Sequence, residues 1–117
     1  MSELIPEFVP YADLNDVMRR EEQAKKSYRL LDEKNGCVAG CCTGVSFYPE
    51  TEYGKGGVHD DQEGFFVIAG NGTAKVGETE FKIYPGVSFI APAGVRHVIK
   101  RDADSDAVEV FWFHSAI

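Results

Sequence analysis

Turn residues interrupt this chain at short intervals, and their spacing limits the folds that are open to it. Glycine and proline clusters such as EKNG, GNG, YPG and PAG separate runs of about five to eight residues rich in Val, Ile, Phe and Tyr. This pattern is typical of a many-stranded antiparallel sandwich or barrel. We predict strands over residues 28–31, 37–48, 65–69, 73–77, 80–84, 87–91, 97–101 and 107–114. Asn35-Gly36 predicts a type I′ hairpin turn between the first two strands, because both residues tolerate a positive φ.

The beginning of the chain has a helical periodicity instead. Leu14, Val17 and Met18 recur at helical spacing behind Asp13, a possible cap, and good helix formers follow in RREEQAKK. We therefore predict a short N-terminal helix. A length of 117 residues allows one domain but not two cores of ordinary size. Within that domain, we assign residues 1–36 to the helix and first strand, packed on the barrel, and residues 37–117 to the barrel itself.

The acidic balance of the chain argues against several partners. Its formal net charge is −7, so it offers no basic stripe that would neutralise a nucleic acid backbone. The same charge disfavours an anionic membrane surface, and no stretch approaches the length of a transmembrane helix. The first residues, MSELIPEFVPYADLND, lack the basic end and apolar stretch of a signal peptide. We expect a cytoplasmic, soluble protein that binds neither nucleic acid nor a membrane.

Two stretches carry residues suited to chemistry. GGVHDDQEGFFVIAG, residues 56–70, places His59 four positions before Glu63, and PGVSFIAPAGVRHVIKR, residues 85–101, places His97 at the start of a strand. Together they resemble the two motifs of the cupin superfamily. The matching residues are His59, Glu63 and Gly70 in the first motif and Gly86, Pro92, Gly94 and His97 in the second. The resemblance implies an all-β double-stranded β-helix, the cupin or jelly-roll barrel, with the short helix outside it.

The chain also departs from these motifs. Gly57 replaces the first histidine of motif one, Thr51 its leading glycine, and Arg101 the final asparagine of motif two. In the family, the histidines and glutamate of the two motifs bind a divalent metal inside the barrel. The resemblance therefore implies a site of His59, Glu63 and His97 with one ligand missing. Two imidazoles and one carboxylate suit Fe(II), Zn, Mn or Ni, so the metal's identity stays open.

This site requires the chain to turn back between its first two ligands. In a straight strand, His59 and Glu63 would lie about 13 Å apart, at roughly 3.3 Å per residue, which is too far for one metal. The intervening DDQ is a plausible turn sequence. Gln62, Asp61 and Tyr53 are candidates for an additional ligand or for substrate contacts, although an exposed loop position explains each of them more simply.

The last predicted strand contains the remaining histidine. His114 alternates with Val110 and Trp112, so it either shares their face or reaches solvent at the strand's end.

Three functions are compatible with these residues, and the sequence does not decide between them or settle which residue is catalytic. The first is a metal-dependent enzyme acting on a small organic molecule, of the oxygenase, isomerase or lyase type. The second is a module that binds or senses a small ligand, with a degraded metal site and no catalysis. The third is a metal-free, epimerase-like enzyme with His97 or His59 as general base. The resemblance also implies a homodimer, since small single-domain cupins commonly form one.

Overall fold

The described part of the chain contains eight strands, one short α-helix and a single turn of 3-10 helix. The computed structural model describes residues 8–21 and 26–115. The helix is α1 (Leu14–Arg20). The strands are β1 (Ser27–Leu31), β2 (Cys42–Tyr48), β3 (Glu63–Ala69), β4 (Gly72–Val76), β5 (Thr79–Ile83), β6 (Ser88–Ala91), β7 (His97–Arg101) and β8 (Val108–His114).

The strands form two antiparallel sheets that face each other across a common core. The larger sheet has the order β1-β2-β8-β3-β6, and the smaller has the order β5-β4-β7. Every pairing between these strands is antiparallel. The sheets do not close into one, so the arrangement is a β-sandwich. The predicted many-stranded antiparallel architecture is confirmed.

Alternation along the strands separates the core from the surface. In β3, Phe65 is 1% exposed and faces the core, whereas the next residue, Phe66, is 47% exposed on the outer face. The buried core includes Phe65, Val67, Val108, Val110 and Trp112 from the larger sheet and Ala74, Ile83 and Ile99 from the smaller. Full burial of one such apolar side chain contributes roughly 1.5–3 kcal/mol. This shared core holds the two sheets together and fixes the strand ends that carry the site.

The N-terminal helix begins where the sequence predicts. The Asp13 side chain accepts a hydrogen bond of 2.9 Å from the backbone N–H of Asn15, as an N-cap residue does. The helix ends at Arg20, and residues 22–25 of the RREEQAKK run lie outside the described residues. In the described ranges, no helix has the length and apolar character needed to cross a membrane. The division at residues 36 and 37 stays a prediction; β1 is an edge strand of the larger sheet.

The predicted hairpin turn at Asn35-Gly36 is wrong. β1 and β2 do pair, but a longer connection joins them, and β2 begins at Cys42 instead of residue 37. Asn35 ends a single turn of 3-10 helix, where its side chain accepts from the backbone N–H of Asp32 at 3.1 Å. Only Gly36 has the positive φ, at 102°. The asparagine therefore acts as a helix-capping residue, which the dipeptide signal does not distinguish from a hairpin turn.

Candidate metal centre

The connection between β2 and β3 is held against β7, and this contact positions His59. Gly57 and His97 exchange two backbone hydrogen bonds of 3.0 Å, and the N–H of Gly94 donates to the carbonyl of His59 at 2.8 Å. The chain then bends at Asp60 and Asp61 and enters β3 at Glu63.

The bend brings the two predicted ligands of the first motif together. Nε2 of His59 lies 3.1 Å from Oε1 of Glu63, although His59 itself is exposed. The expected reversal of the chain between the two residues is present.

Glu63 lies at the end of a central strand, and this explains its burial. It is opposite Ala91 on β6 and opposite His114 on β8. Residues opposite each other in a sheet direct their side chains to the same face, so Glu63 and His114 both face the interior. Nε2 of His114 lies 3.7 Å from Oε1 of Glu63.

His97 approaches the same carboxylate from the facing sheet. It is the first residue of β7 and is buried, and its Nε2 lies 3.4 Å from Oε1 of Glu63. The chain contains three histidines, and all three therefore converge on one carboxylate oxygen.

The residues of this cluster fit a divalent metal. Among the described residues, Oε1 of Glu63 is buried and makes no hydrogen bond, despite the imidazole nitrogens around it. Buried polar atoms are rarely left in this state without an ion or water to satisfy them. Ligand atoms of His59, Glu63 and His114 all lie within 4.8 Å of one another. Imidazole and carboxylate are ordinary ligands of Fe, Zn, Mn and Ni.

The predicted role of His97 as a ligand stays a prediction. Its imidazole is not part of the compact group of His59, Glu63 and His114, although it contacts the same glutamate oxygen.

Burial pushes Glu63 and His97 toward their neutral forms. It raises the pKa of Glu63 above its ordinary value, while His114 and His59 act in the opposite direction. Burial lowers the pKa of His97, and the neighbouring His59 adds to that effect. A divalent cation would favour the ionised carboxylate and the neutral imidazoles, which are the forms that bind metal.

The three additional candidates occupy different surroundings. The two carboxylate oxygens of Asp61 lie 2.9 and 3.0 Å from Nδ1 of His114. The Tyr53 hydroxyl instead donates to Glu80 at 2.7 Å, and Gln62 is exposed.

The sequence did not decide whether the His114 side chain faces the interior or solvent. Its alternation with Trp112 and Val110 was the signal that could have placed it inside, since both of those residues are buried.

A cavity of about 490 Å³ opens onto the cluster. Gly57 and the four clustered side chains line it, as does Tyr48. Burial, together with the charge of Glu63, raises the pKa of the Tyr48 hydroxyl to about 12, so that this group stays protonated at neutral pH. Another lining residue, Ser46, accepts a hydrogen bond of 2.8 Å from the indole of Trp112. The cavity thus combines apolar walls with a few hydrogen-bonding groups, as sites for small organic ligands do.

Comparisons with known proteins agree with this fold. A family model of the cupin domain matches residues 45–114. No curated protein sequence matches the chain. Similar solved structures include a predicted oxalate decarboxylase from Thermotoga maritima, with a TM-score of 0.67 and 14% identity over 78% of this chain and 79% of that one. Another is the Cnp3 cupin domain of Schizosaccharomyces pombe, with a TM-score of 0.66 and 17% identity over 81% and 64%. A third is the hydroxypropylphosphonic acid epoxidase of S. wedmorenis, with a TM-score of 0.61 and 15% identity over 76% and 50%.

These structural likenesses establish the fold, the double-stranded β-helix that the two motifs imply. The chain spans 64% of the Cnp3 chain and 50% of the epoxidase, so neither protein's activity transfers with the fold. Because the cupin-domain match covers more than half of the chain and the fold agrees with it, this chain belongs to the cupin family.

Proposed function

We propose that this chain binds one divalent metal ion at Glu63 and the surrounding imidazoles and acts there on a small organic molecule of the adjoining cavity. The observation that carries the proposal is the convergence of all three histidines on a buried glutamate oxygen that makes no hydrogen bond among the described residues. A metal-free protein would hold this arrangement only at the cost of a desolvated carboxylate. Bound metal removes that cost.

The ion would supply Lewis acidity toward an oxygen of the bound molecule. Within this chain, Glu63 contributes the negative charge of the centre, and the imidazoles of His59, His97 and His114 contribute neutral donors. The protonated hydroxyl of Tyr48 lines the same cavity and is suited to donate a hydrogen bond to an oxygen of the ligand. These groups favour small acids and carbonyl compounds, and the reaction is of the oxygenase, isomerase or lyase type.

Metal analysis tests the first half of the proposal. Protein purified without immobilised metal or chelator, then reconstituted with Zn(II), Mn(II), Ni(II) or anaerobic Fe(II), is expected to hold close to one ion per chain. Iron belongs in this set because one structural neighbour is named as the FeII form of HppE. His97→Ala should reduce the bound metal, whereas Glu80→Gln, an exposed carboxylate substitution, should not. Protein that takes up no metal under any of these conditions would contradict the proposal.

Ligand screening tests the second half. Small carboxylic acids and carbonyl compounds that enter the cavity should raise the melting temperature of the metal-loaded protein, since ligand bound to the native state stabilises it. Each stabilising compound is then incubated with the protein, and product is measured. Metal-dependent turnover supports the enzyme. Stabilisation without product indicates the binding module, and turnover that survives a chelator indicates the metal-free enzyme.

A further inference from the structure

Position 57 faces the centre of the cluster from the main cavity. A Cβ built at Gly57 would lie 3.1 Å from Nε2 of both His59 and His97, and 3.0 Å from Cε1 of His97. The Gly57 backbone forms a regular antiparallel bridge with His97, with hydrogen bonds of 3.0 Å. A side chain at this position would therefore point into the metal centre. The space that it would fill belongs to the cavity.

His114 reaches the same centre from a different strand. It is at the end of β8, directly opposite Glu63 on β3, and its Nε2 lies 3.7 Å from the glutamate oxygen. Its ligand atom also belongs to the compact group with His59 and Glu63. The number of imidazoles around the carboxylate is therefore three, even though position 57 is a glycine.

Asp61 pairs with Nδ1 of His114, the ring nitrogen other than the one that faces Glu63. Both of its carboxylate oxygens contact Nδ1 of His114, at 2.9 and 3.0 Å, and both side chains are largely buried. An ionised carboxylate only accepts hydrogen bonds, so Nδ1 carries the proton and donates. The lone pair is then on Nε2, the nitrogen that faces Glu63. Histidines that bind metal commonly donate their second nitrogen to a carboxylate in this way.

Position 57 and the residue that supports His114 line two different cavities. Gly57 lines the cavity of about 490 Å³, whereas Asp61 lines a second depression that shares only His59 and His114 with it. An imidazole at position 57 would occupy space in the main cavity. The carboxylate that contacts His114, from Asp61, lies in the second depression instead. With glycine at position 57, the cavity side of the centre keeps the space that an imidazole there would occupy, although His114 also lines this cavity.

From this geometry we infer that His114, positioned by Asp61, is the metal ligand that replaces the imidazole missing at position 57. The complete ligand set is then His59, Glu63, His97 and His114. Gly57 becomes a determinant of access to the metal from the cavity. This inference rests on the metal binding proposed above, and it assigns a ligand and a positioning residue that the two motifs do not contain.

The test is a comparison of metal affinity among four variants, measured by competition with a chromophoric chelator. His114→Ala should lose considerably more affinity than the roughly 10–100-fold expected for Asp61→Asn, the loss of a supporting carboxylate. Combining His114→Ala with Gly57→His should recover most of the lost affinity, because the imidazole returns to the same centre. Combining His114→Ala with Gly57→Ala is the matched control, which fills the space without supplying a ligand and should recover nothing.

The outcomes separate this inference from the proposed function. If the wild-type chain binds metal and His114→Ala binds it equally well, the inference is overturned while the proposed metal site stands. A double variant His114→Ala/Gly57→His that keeps a native circular dichroism spectrum and still fails to recover metal affinity would overturn the inference that His114 replaces an imidazole at position 57. If the wild-type chain binds no metal, the proposed function itself fails, and the inference with it.

A measurement on the unaltered chain guards against variants that do not fold. X-ray absorption spectroscopy of the Zn(II)-loaded wild-type protein counts the imidazoles bound to the metal. Three imidazoles are expected from the four-residue set. Two or fewer would overturn it.

Discussion

At the scale of single residues, burial of the Glu63 carboxyl group lowers the folding stability of the metal-free protein. The Glu63 side chain is 9% exposed, and burial raises its pKa in spite of the imidazoles nearby. A carboxyl group with a raised folded pKa favours folding while it is protonated. That contribution is lost as the pH rises through the folded pKa. At neutral pH the burial of this carboxyl group therefore lowers the stability of the metal-free fold, and a cation would favour its ionised form.

Glu63→Gln is expected to stabilise the metal-free protein at pH 7 by about 1–3 kcal/mol, because it removes the cost of burying a titratable carboxyl group without changing the side chain's shape. The same variant should lose metal binding. Urea unfolding in the presence of chelator measures the stability. The difference between variant and wild type should shrink as the pH falls through the raised pKa of Glu63, and it should vanish below 4.5, the ordinary pKa of a glutamate.

The control for this experiment is Glu80→Gln, at an exposed carboxylate that accepts from Tyr53. It should change the free energy of unfolding by less than about 0.5 kcal/mol. A lower stability of metal-free Glu63→Gln at pH 7 would show that Glu63 has a favourable partner in the folded chain, contrary to our expectation.

At the scale of elements, Arg101 fixes the connection that carries His59. Its Nε donates to the carbonyl of Pro49 at 2.6 Å, and its Nη1 lies 3.0–3.3 Å from the carbonyls of Asp102, Ala103 and Ser105. One guanidinium thereby joins the start of the β2–β3 connection to the turn after β7. This is the residue that replaces the final asparagine of the second motif, and the structure gives it a role in holding the loop.

Arg101→Ala is expected to destabilise the fold by about 1.5–3 kcal/mol, since hydrogen bonds to a charged group are lost. Arg101→Lys should lose part of this, because an ammonium group cannot reproduce the planar fork of donors. Thermal unfolding followed by circular dichroism measures both variants. The exposed Arg96→Ala is the matched control and should melt like the wild type. Equal melting temperatures for Arg101→Ala and Arg96→Ala would show that the hydrogen bonds of Arg101 do not stabilise the loop.

At the scale of the whole molecule, the larger sheet presents an apolar outer face. Its exposed apolar side chains, on the adjacent strands β6, β3 and β8, are Phe66, Ile68, Ile90 and Phe113. The Phe113 ring packs over Gly64 of β3, where an added Cβ would lie 2.2 Å from the ring. Large contiguous apolar patches are uncommon on the surfaces of monomers. In a two-fold symmetric dimer, such a patch packs against the same patch of the second subunit. We propose that this face forms the homodimer expected from the family, which stays a prediction.

Light scattering coupled to size-exclusion chromatography is expected to give twice the mass of the chain for the wild type. Phe66→Asp should shift the protein to the monomer, because it places a charge in the centre of the paired faces. Val38→Asp, at an exposed apolar residue of the β1–β2 connection, is the control and should leave the mass unchanged. A monomeric wild-type protein at micromolar concentration would contradict the proposed interface.

The sequence by itself determined much of the local structure and indicated part of the candidate site. Alternating apolar residues between glycine and proline turns predict strands because the side-chain period of two is a local property. The cap at Asp13 is local in the same sense. The two motifs predicted His59, Glu63 and His97 as ligands, and this assignment stays a prediction, although the fold brings the three side chains together.

Only the tertiary structure decided the position of His114 and the true connection between β1 and β2. His114 meets Glu63 through the pairing of β8 with β3, a contact between distant parts of the chain that no local pattern encodes. Asn35 caps a helical turn instead of forming a hairpin, because its side chain finds the Asp32 backbone within the folded loop. Both depend on which segments pack together, and long-range packing is decided by the whole core rather than by any one stretch of sequence.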